Sequence, residues 1–170
     1  AISVNGDIMI RTVCVLFAFT WFTAKSAEAG DVVLAANSVL MTLTHVAAYF
    51  LDGFAFSAET LAGQAIGAQR INRFRDAVRL STIWAIAFSI AASAVFWFAG
   101  DAIIDLLTVN EAVRATAREY LFWATLVPIA GVMAYQFDGI FIGATRTADM
   151  RNMMLISLAC YLALWATLTP

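Results

Sequence analysis

Long apolar runs separated by short polar connectors are the main pattern along this chain of 170 residues. A membrane-spanning helix needs about 20 mostly apolar residues. Five runs meet that need and predict spans at residues 8–27, 32–68, 80–99, 120–144 and 152–169. The second run is far longer than one span, so we expect either one long projecting helix or a break near Asp52 and Gly53. The predicted fold is an all-α polytopic membrane helix bundle of about five transmembrane helices.

The polar connectors suggest where helices begin and bend. Asp7 precedes the first run and is a candidate N-cap, because a carboxylate can accept hydrogen bonds from the first backbone amides of a helix. Residues 109–111 predict a turn and a new helix start before the fourth run. Pro128 lies inside that run, where it removes a backbone donor and predicts a kink.

Basic residues are unequally divided between the two sets of span ends. Seven arginines fall on one side, namely Arg11, Arg70, Arg73, Arg75, Arg79, Arg146 and Arg151. The opposite side has three basic residues, Lys25, Arg114 and Arg118. Connectors rich in Lys and Arg usually face the cytoplasm, so this pattern predicts a multi-pass protein whose first span starts on the cytoplasmic side.

Composition agrees with a membrane location and excludes several function classes. The chain is 62% hydrophobic and 13% charged, whereas soluble domains carry about 25% charged residues. A net charge of −2 supplies no basic surface for nucleic acid. The sequence shows no nucleotide-binding or metal-binding motif, and Cys14 and Cys160 are interpreted as apolar packing residues. Both ends look like cuts, so we expect a fragment of a longer protein.

Polar side chains recur every seven residues along the second span. Ser38, His45, Asp52 and Glu59 therefore lie in one stripe on one side of a helix. A third intramembrane acid, Asp138, lies in the fourth span. Carboxylates at membrane depth usually face a bundle interior or a watery cavity, where they relay protons or bind ions. Because we expect no Lys or Arg deep enough to neutralise these acids, they are candidates for binding a proton or a hard cation.

Each candidate also has a structural interpretation. Asp52 and Asp138 could serve only in interhelical hydrogen bonds, and Glu59 could simply reach water at the membrane surface. His45 could be a hydrogen-bonded packing residue, although its titration range also suits a proton relay. Tyr49 could line a cavity or face lipid. Together with Gln136 these are the six predicted ion-coupling or substrate-binding residues, and no metal-ligand or catalytic residue is predicted.

The second and fourth spans contain similar segments. Residues 52–56 read DGFAF and residues 138–142 read DGIFI. Each span also has two glycines four residues apart, Gly63 with Gly67 and Gly139 with Gly143. Such pairs let membrane helices approach closely, so they indicate either ordinary packing or a related role for the two spans.

A set of short motifs resembles one transporter family. They are NGDIMIRT at 5–12, DVVLAAN at 31–37, DGFAF at 52–56 followed by Glu59, GQAIGA at 63–68, DGIFIGATRT at 138–147 and DMRN at 149–152. In this order, over nearly the whole chain, they resemble the multidrug and toxic compound extrusion (MATE) family and its DinF-like branch. That family has two six-helix lobes. The resemblance implies that residues 1–170 are the first five helices of the C-terminal lobe, without the N-terminal lobe and the last helix.

The resemblance also implies a function. Members export cationic or amphipathic drugs and toxic compounds in exchange for protons or sodium, from the bacterial cytoplasmic (inner) membrane and without a cofactor. Asp138 matches an acid that belongs to a cation site in some branches, but the partner acid of the first helix has no match here. We therefore expect a fragment of an antiporter rather than an enzyme. The alternatives are an intramembrane aspartyl hydrolase using Asp52 and Asp138, or a non-transporting channel or structural membrane module.

Overall fold

A computed structural model describes residues 2–168, and within them every regular element is helical. The five helices are α1 (Ile2–Glu28), α2 (Asp31–Gly67), α3 (Ile71–Leu107), α4 (Glu111–Gly143) and α5 (Thr147–Leu168). Each is long and apolar enough to cross a membrane, which confirms the predicted all-α polytopic bundle. The predicted last residue of the fifth span, Thr169, lies outside the described residues.

The helices are longer than the apolar runs, because polar residues at their ends remain helical. α2 is one uninterrupted helix of 37 residues, so the alternative of a break near Gly53 is wrong. α4 likewise continues through Pro128. Only residues 68–70 separate α2 from α3, because the arginine-rich segment after them is already helical. The Asn110 side chain caps α4 by accepting hydrogen bonds from the amides of Ala112 and Val113, as the turn before this helix predicted.

α2 and α4 run parallel and in close contact. A side chain at Gly139 would collide with the backbone of Ala55, and one at Gly143 would collide with the backbone of Glu59. The two contacts are four residues apart on both helices, so the helices stay in register over at least one turn. Small residues therefore let the two backbones touch here, as the glycine pairs predicted.

α3 runs antiparallel to both helices and completes a three-helix core. Gly100 of α3 packs against the side chain of Leu121, and toward the other end of α3 Ser81 is hydrogen bonded to Gln136 of α4. The buried residues of the main apolar cluster all lie on these three helices: Ala36, Leu40, Leu43, Ala47, Phe96, Ile104, Val113, Ala117 and Ala124. The mutual packing of α2, α3 and α4 gives the core its shape.

α1 and α5 run parallel as a pair beside this core. At one end of the pair, the Asp7 carboxylate accepts a hydrogen bond of 3.0 Å from the Thr147 hydroxyl and one of 2.6 Å from Arg151. Asp7 is only 7% exposed. The prediction that it caps the first helix is wrong, because α1 begins at Ile2 and Asp7 lies inside it. Its carboxylate instead joins α1 to α5.

A cleft of about 760 Å³ separates the α1 and α5 pair from α2 and α4. It lies toward the end of α1 that contains Lys25, away from the Asp7 contact. Its walls are mostly apolar and aromatic, with Phe19, Trp123 and Trp165 among them. The cleft thus opens at the Lys25 end of α1, although a hydrogen bond between Ser26 of α1 and Asn37 of α2 crosses between the two parts there.

Replacing Gly139 by alanine is expected to destabilise the protein by about 1–3 kcal/mol, because the new methyl group would force the backbones of α2 and α4 apart. Gly53→Ala is the matched control, since open space surrounds Gly53. Alanine there should be neutral or stabilising by up to about 1 kcal/mol. Thermal unfolding of the purified full-length protein in detergent measures both effects. Equal midpoints for the two variants would contradict the close contact.

Asp7→Asn is expected to lower stability by about 1.5–3 kcal/mol, because it removes a charge-assisted hydrogen bond from a buried position. Asp149→Asn is the control, since Asp149 pairs with Arg146 at the surface, and such exposed pairs contribute about 0–1 kcal/mol. The same unfolding measurement compares them. A larger effect at Asp149 would show that the Asp7 contact does not hold α1 to α5.

Candidate functional site

The middle of the polar stripe predicted on α2, at His45 and Asp52, faces α1, whereas Ser38 is exposed and donates to the backbone carbonyl of Leu34 in its own helix. The Asn37 side chain, next to Ser38, donates a hydrogen bond of 2.8 Å to the Ser26 hydroxyl of α1. One further step along the stripe, the His45 ring lies edge-on to Phe19, with the ring centroids 5.9 Å apart. α1 therefore runs antiparallel to α2 and follows the stripe toward Asp52.

Arg11 of α1 meets the acids of α2 and α4 at the next level. Its guanidinium forms an ion pair with the Asp138 carboxylate. The charge of Arg11 also interacts with Asp52 and Tyr135, and Asp52 interacts with Tyr135. These four residues, Arg11, Asp52, Tyr135 and Asp138, are called the Arg11 cluster below. The cluster brings together one basic and two acidic side chains from three helices.

The prediction from the sequence did not include Arg11 in this site. We expected no basic residue deep enough to neutralise the three acids, and that expectation is wrong for Asp138. The reason is the start of α1: the helix begins at Ile2, so Arg11 lies more than two turns inside it rather than at its end. Because α1 runs antiparallel to α2 and α4, Arg11 then lies beside Asp52 of α2 and Asp138 of α4.

The Arg11 cluster is partly shielded from solvent and has unused bonding capacity. The side chains of Arg11 and Asp138 are 29% and 19% exposed. Among the described residues, the buried Nε–H of Arg11 has no hydrogen-bond partner. The single positive charge of Arg11 therefore interacts with two carboxylates, while the Nε–H donor of its guanidinium has no partner among the described residues. With both acids ionised, the cluster carries one excess negative charge.

Glu59 lies outside this cluster. It is partly buried one stripe interval beyond Asp52, roughly 10.5 Å along the helix axis. Its backbone, rather than its carboxylate, makes the contact with Gly143. The structure thus keeps Glu59 on the side of the stripe but does not bring its carboxylate to Asp138.

The remaining predicted residues have different surroundings. Gln136 is fully buried, and its amide donates to the backbone carbonyl of Ser81 over 3.3 Å. It therefore joins α3 to α4 inside the core. Tyr49 is 74% exposed on the surface of α2. His45 is exposed and packs on Phe19, so neither ring reaches the Arg11 cluster.

Removing either member of the Arg11–Asp138 pair is expected to cost about 1.5–3 kcal/mol of stability, because the partner is left with an uncompensated charge. The double variant Arg11→Gln with Asp138→Asn leaves no charge at either position. We therefore expect it to be less destabilised than the sum of the single variants. Unfolding of the four proteins measures this coupling. Strict additivity would mean that the two side chains do not interact.

Comparison with known proteins gives the family. The MatE family model matches residues 8–166. DNA damage-inducible protein F of Escherichia coli is 41% identical over 162 residues, which cover 93% of this chain and 34% of that protein. Probable multidrug resistance protein NorM of Pseudomonas aeruginosa is 29% identical over 147 residues, covering 84% of this chain and 30% of that protein. The chain thus spans about one third of the length of these relatives. No solved structure matches it significantly.

Family membership bears on one of the alternatives that the sequence left open, the enzyme. Proteins of the MatE family are transporters and not enzymes, so the alternative of an intramembrane aspartyl hydrolase is wrong. With a family match over nearly all of its length and five helices able to span a bilayer, the chain is a multi-pass membrane protein that belongs to the MatE family.

Proposed function

We propose that this chain is part of a secondary active antiporter that exports cationic or amphipathic toxic compounds across the bacterial cytoplasmic membrane. The coupling ion is a proton or sodium. The observation that carries this proposal is the Arg11 cluster, an ion pair and a further acid held between three membrane-spanning helices. Charged groups in such positions are rare outside ion and proton pathways. The relative named as a multidrug resistance protein supports the substrate class.

In this proposal the chain supplies most of one lobe. It corresponds to the first five helices of the C-terminal lobe, and the partners are the N-terminal lobe and the last helix of the same polypeptide, together with the lipid bilayer. The length of the relatives, about three times that of this chain, supports this assignment. The substrate then lies between the lobes, and this chain alone does not transport.

The Arg11 cluster can couple ion binding to helix movement. The contacts at Gly139 and Gly143 hold α2 and α4 together as one body. The Arg11–Asp138 pair joins α1, and with it α5, to that body. A proton or a competing cation at Asp138 weakens this pair. The α1 and α5 pair is then free to shift toward the cleft, and an ion can bias alternating access only through such a difference between states.

The predicted site residues have unequal parts in this mechanism. Asp138 and Asp52 are the proposed ion-coupling pair, since both interact with Arg11. Glu59 is a further ion-coupling candidate at the next level of the stripe. His45 and Tyr49 are candidates for contact with substrate on the exposed side of α2. Gln136 acts through the packing of α3 on α4.

Asp138→Asn in the full-length transporter is expected to abolish ion-coupled export. Export is measured as drug uptake into inside-out or reconstituted vesicles with a proton gradient and a sodium gradient imposed in turn. We expect a loss of at least about tenfold in the initial rate, because the neutral side chain neither ionises nor exchanges its partner. The gradient that drives efflux in the unchanged protein identifies the coupling ion.

Asp149→Asn is the matched control, because Asp149 is paired with Arg146 at the surface and lies outside the Arg11 cluster. It should leave efflux unchanged. Both variants are first shown to reach the membrane in equal amounts and to unfold cooperatively. Coupled efflux that survives Asp138→Asn in a folded protein would remove Asp138 from the coupling site. Flux without any counter-ion would indicate a channel.

A further inference from the structure

We propose that Arg11 is a tethered cation that holds the place of an inorganic cation at Asp138, so that this carboxylate does not bind sodium in the resting protein. The inference deepens the proposed function, on which its consequence for coupling rests. The binding property itself concerns only the Arg11 cluster and can be tested without transport. The argument depends on charge balance, on geometry and on the chemistry of the guanidinium group.

Arg11 already supplies Asp138 with the positive charge that a bound cation would supply. Its Nη2 forms the ion pair with Oδ2 of Asp138. Asp52 lies within range of the same guanidinium charge. A metal ion bound between these acids would need oxygen ligands on most sides. The guanidinium occupies one of those sides and offers only donors.

Electrostatic repulsion adds to this steric conflict. Two positive charges a few ångströms apart in a partly buried site repel each other strongly, because the local dielectric screening is weaker than in water. Sodium at Asp138 would meet this repulsion from Arg11 unless the arginine moved away. A penalty of only about 1.4 kcal/mol already weakens binding tenfold. The guanidinium therefore excludes sodium by a wide margin at this carboxylate.

The guanidinium of Arg11 carries a permanent positive charge. Arginine stays protonated in proteins, whereas a buried lysine can lose its charge. The buried Nε–H of Arg11 has no partner among the described residues. This free donor gives the guanidinium a second direction in which to bind a carboxylate. Arg11 can thus change its partner without losing its charge.

The groups around Asp138 agree with this assignment. α1 contributes Arg11, α2 contributes Asp52, and α4 contributes Tyr135 beside Asp138 itself. α5 contributes Arg151, which is engaged with Asp7 one turn along α1 from Arg11. From α3, Ser81 reaches α4 at Gln136. The nearest cation for Asp138 is therefore the one tethered to α1. Of the two coupling ions in the proposed function, only the proton can bind Asp138 while Arg11 remains beside it.

Equilibrium binding of radioactive sodium to the purified full-length protein in detergent tests this inference. The comparison uses the unchanged protein, Asp138→Asn, Arg11→Gln, Arg11→Lys, and the double variant Arg11→Gln with Asp138→Asn. The quantity measured is the saturable sodium binding that disappears when Asp138 is replaced. This difference removes any contribution from sites elsewhere in the transporter.

We expect no such component in the unchanged protein, which should bind as much sodium as Asp138→Asn. Arg11→Gln should gain it, with an affinity at least about tenfold higher, and the double variant should lose it again. Arg11→Lys, which keeps a cation, should resemble the unchanged protein. Circular dichroism and size-exclusion chromatography show whether each variant is folded.

Two outcomes overturn the proposal. Saturable sodium binding in the unchanged protein that Asp138→Asn removes would show that Arg11 does not exclude the ion. A folded Arg11→Gln protein that gains no sodium binding would show that the guanidinium is not what prevents it. If Arg11→Gln does not fold, the comparison of sodium binding by the unchanged protein and by Asp138→Asn still tests whether Asp138 binds sodium. Failure of the transport test with the expected binding result would refute the proposed coupling role and leave this inference standing.

Discussion

The direct backbone contact between α2 and α4 is the constraint on which the rest of the structure depends. Because Gly139 and Gly143 have no side chains, the two helices run in register with the backbone carbonyls of Ala55 and Glu59 packed against these two glycines. This register places Asp52 and Asp138 at the same level of the bundle. It also leaves one shared surface for α1. The acids are therefore close enough for a single arginine to interact with both.

Charge pairing determines where α1 sits on that surface. Along one side of α1, Asp7 engages Arg151 of α5, and one turn later Arg11 engages Asp138 of α4. Without these pairs, each charged group would lie unpaired in an apolar environment, which costs free energy. α1 is thereby a connector between α5 and the three-helix core. Its apolar surface is largely exposed within this chain.

The same arrangement links stability to the proposed function. The three-helix core is held by close packing, which has one well-defined geometry. The α1 and α5 pair contacts the core through the Arg11–Asp138 ion pair, which protonation of Asp138 weakens, and through the Ser26–Asn37 hydrogen bond, and a cleft of about 760 Å³ adjoins it. A rigid body and a body attached by a titratable contact are the elements that an ion-driven change of state requires.

Some properties of this protein followed from its sequence alone. Apolar run length predicted five membrane-spanning helices, and the interval of seven between His45, Asp52 and Glu59 predicted one polar side of α2, because both depend only on local helical geometry. The position of Arg11 did not follow. It depends on where α1 begins and on which helices it crosses, and residues 11 and 138 meet only through the packing of α1 on α2 and α4. Sequence reasoning therefore found the acids, whereas the tertiary structure alone decided which of them has a cation beside it.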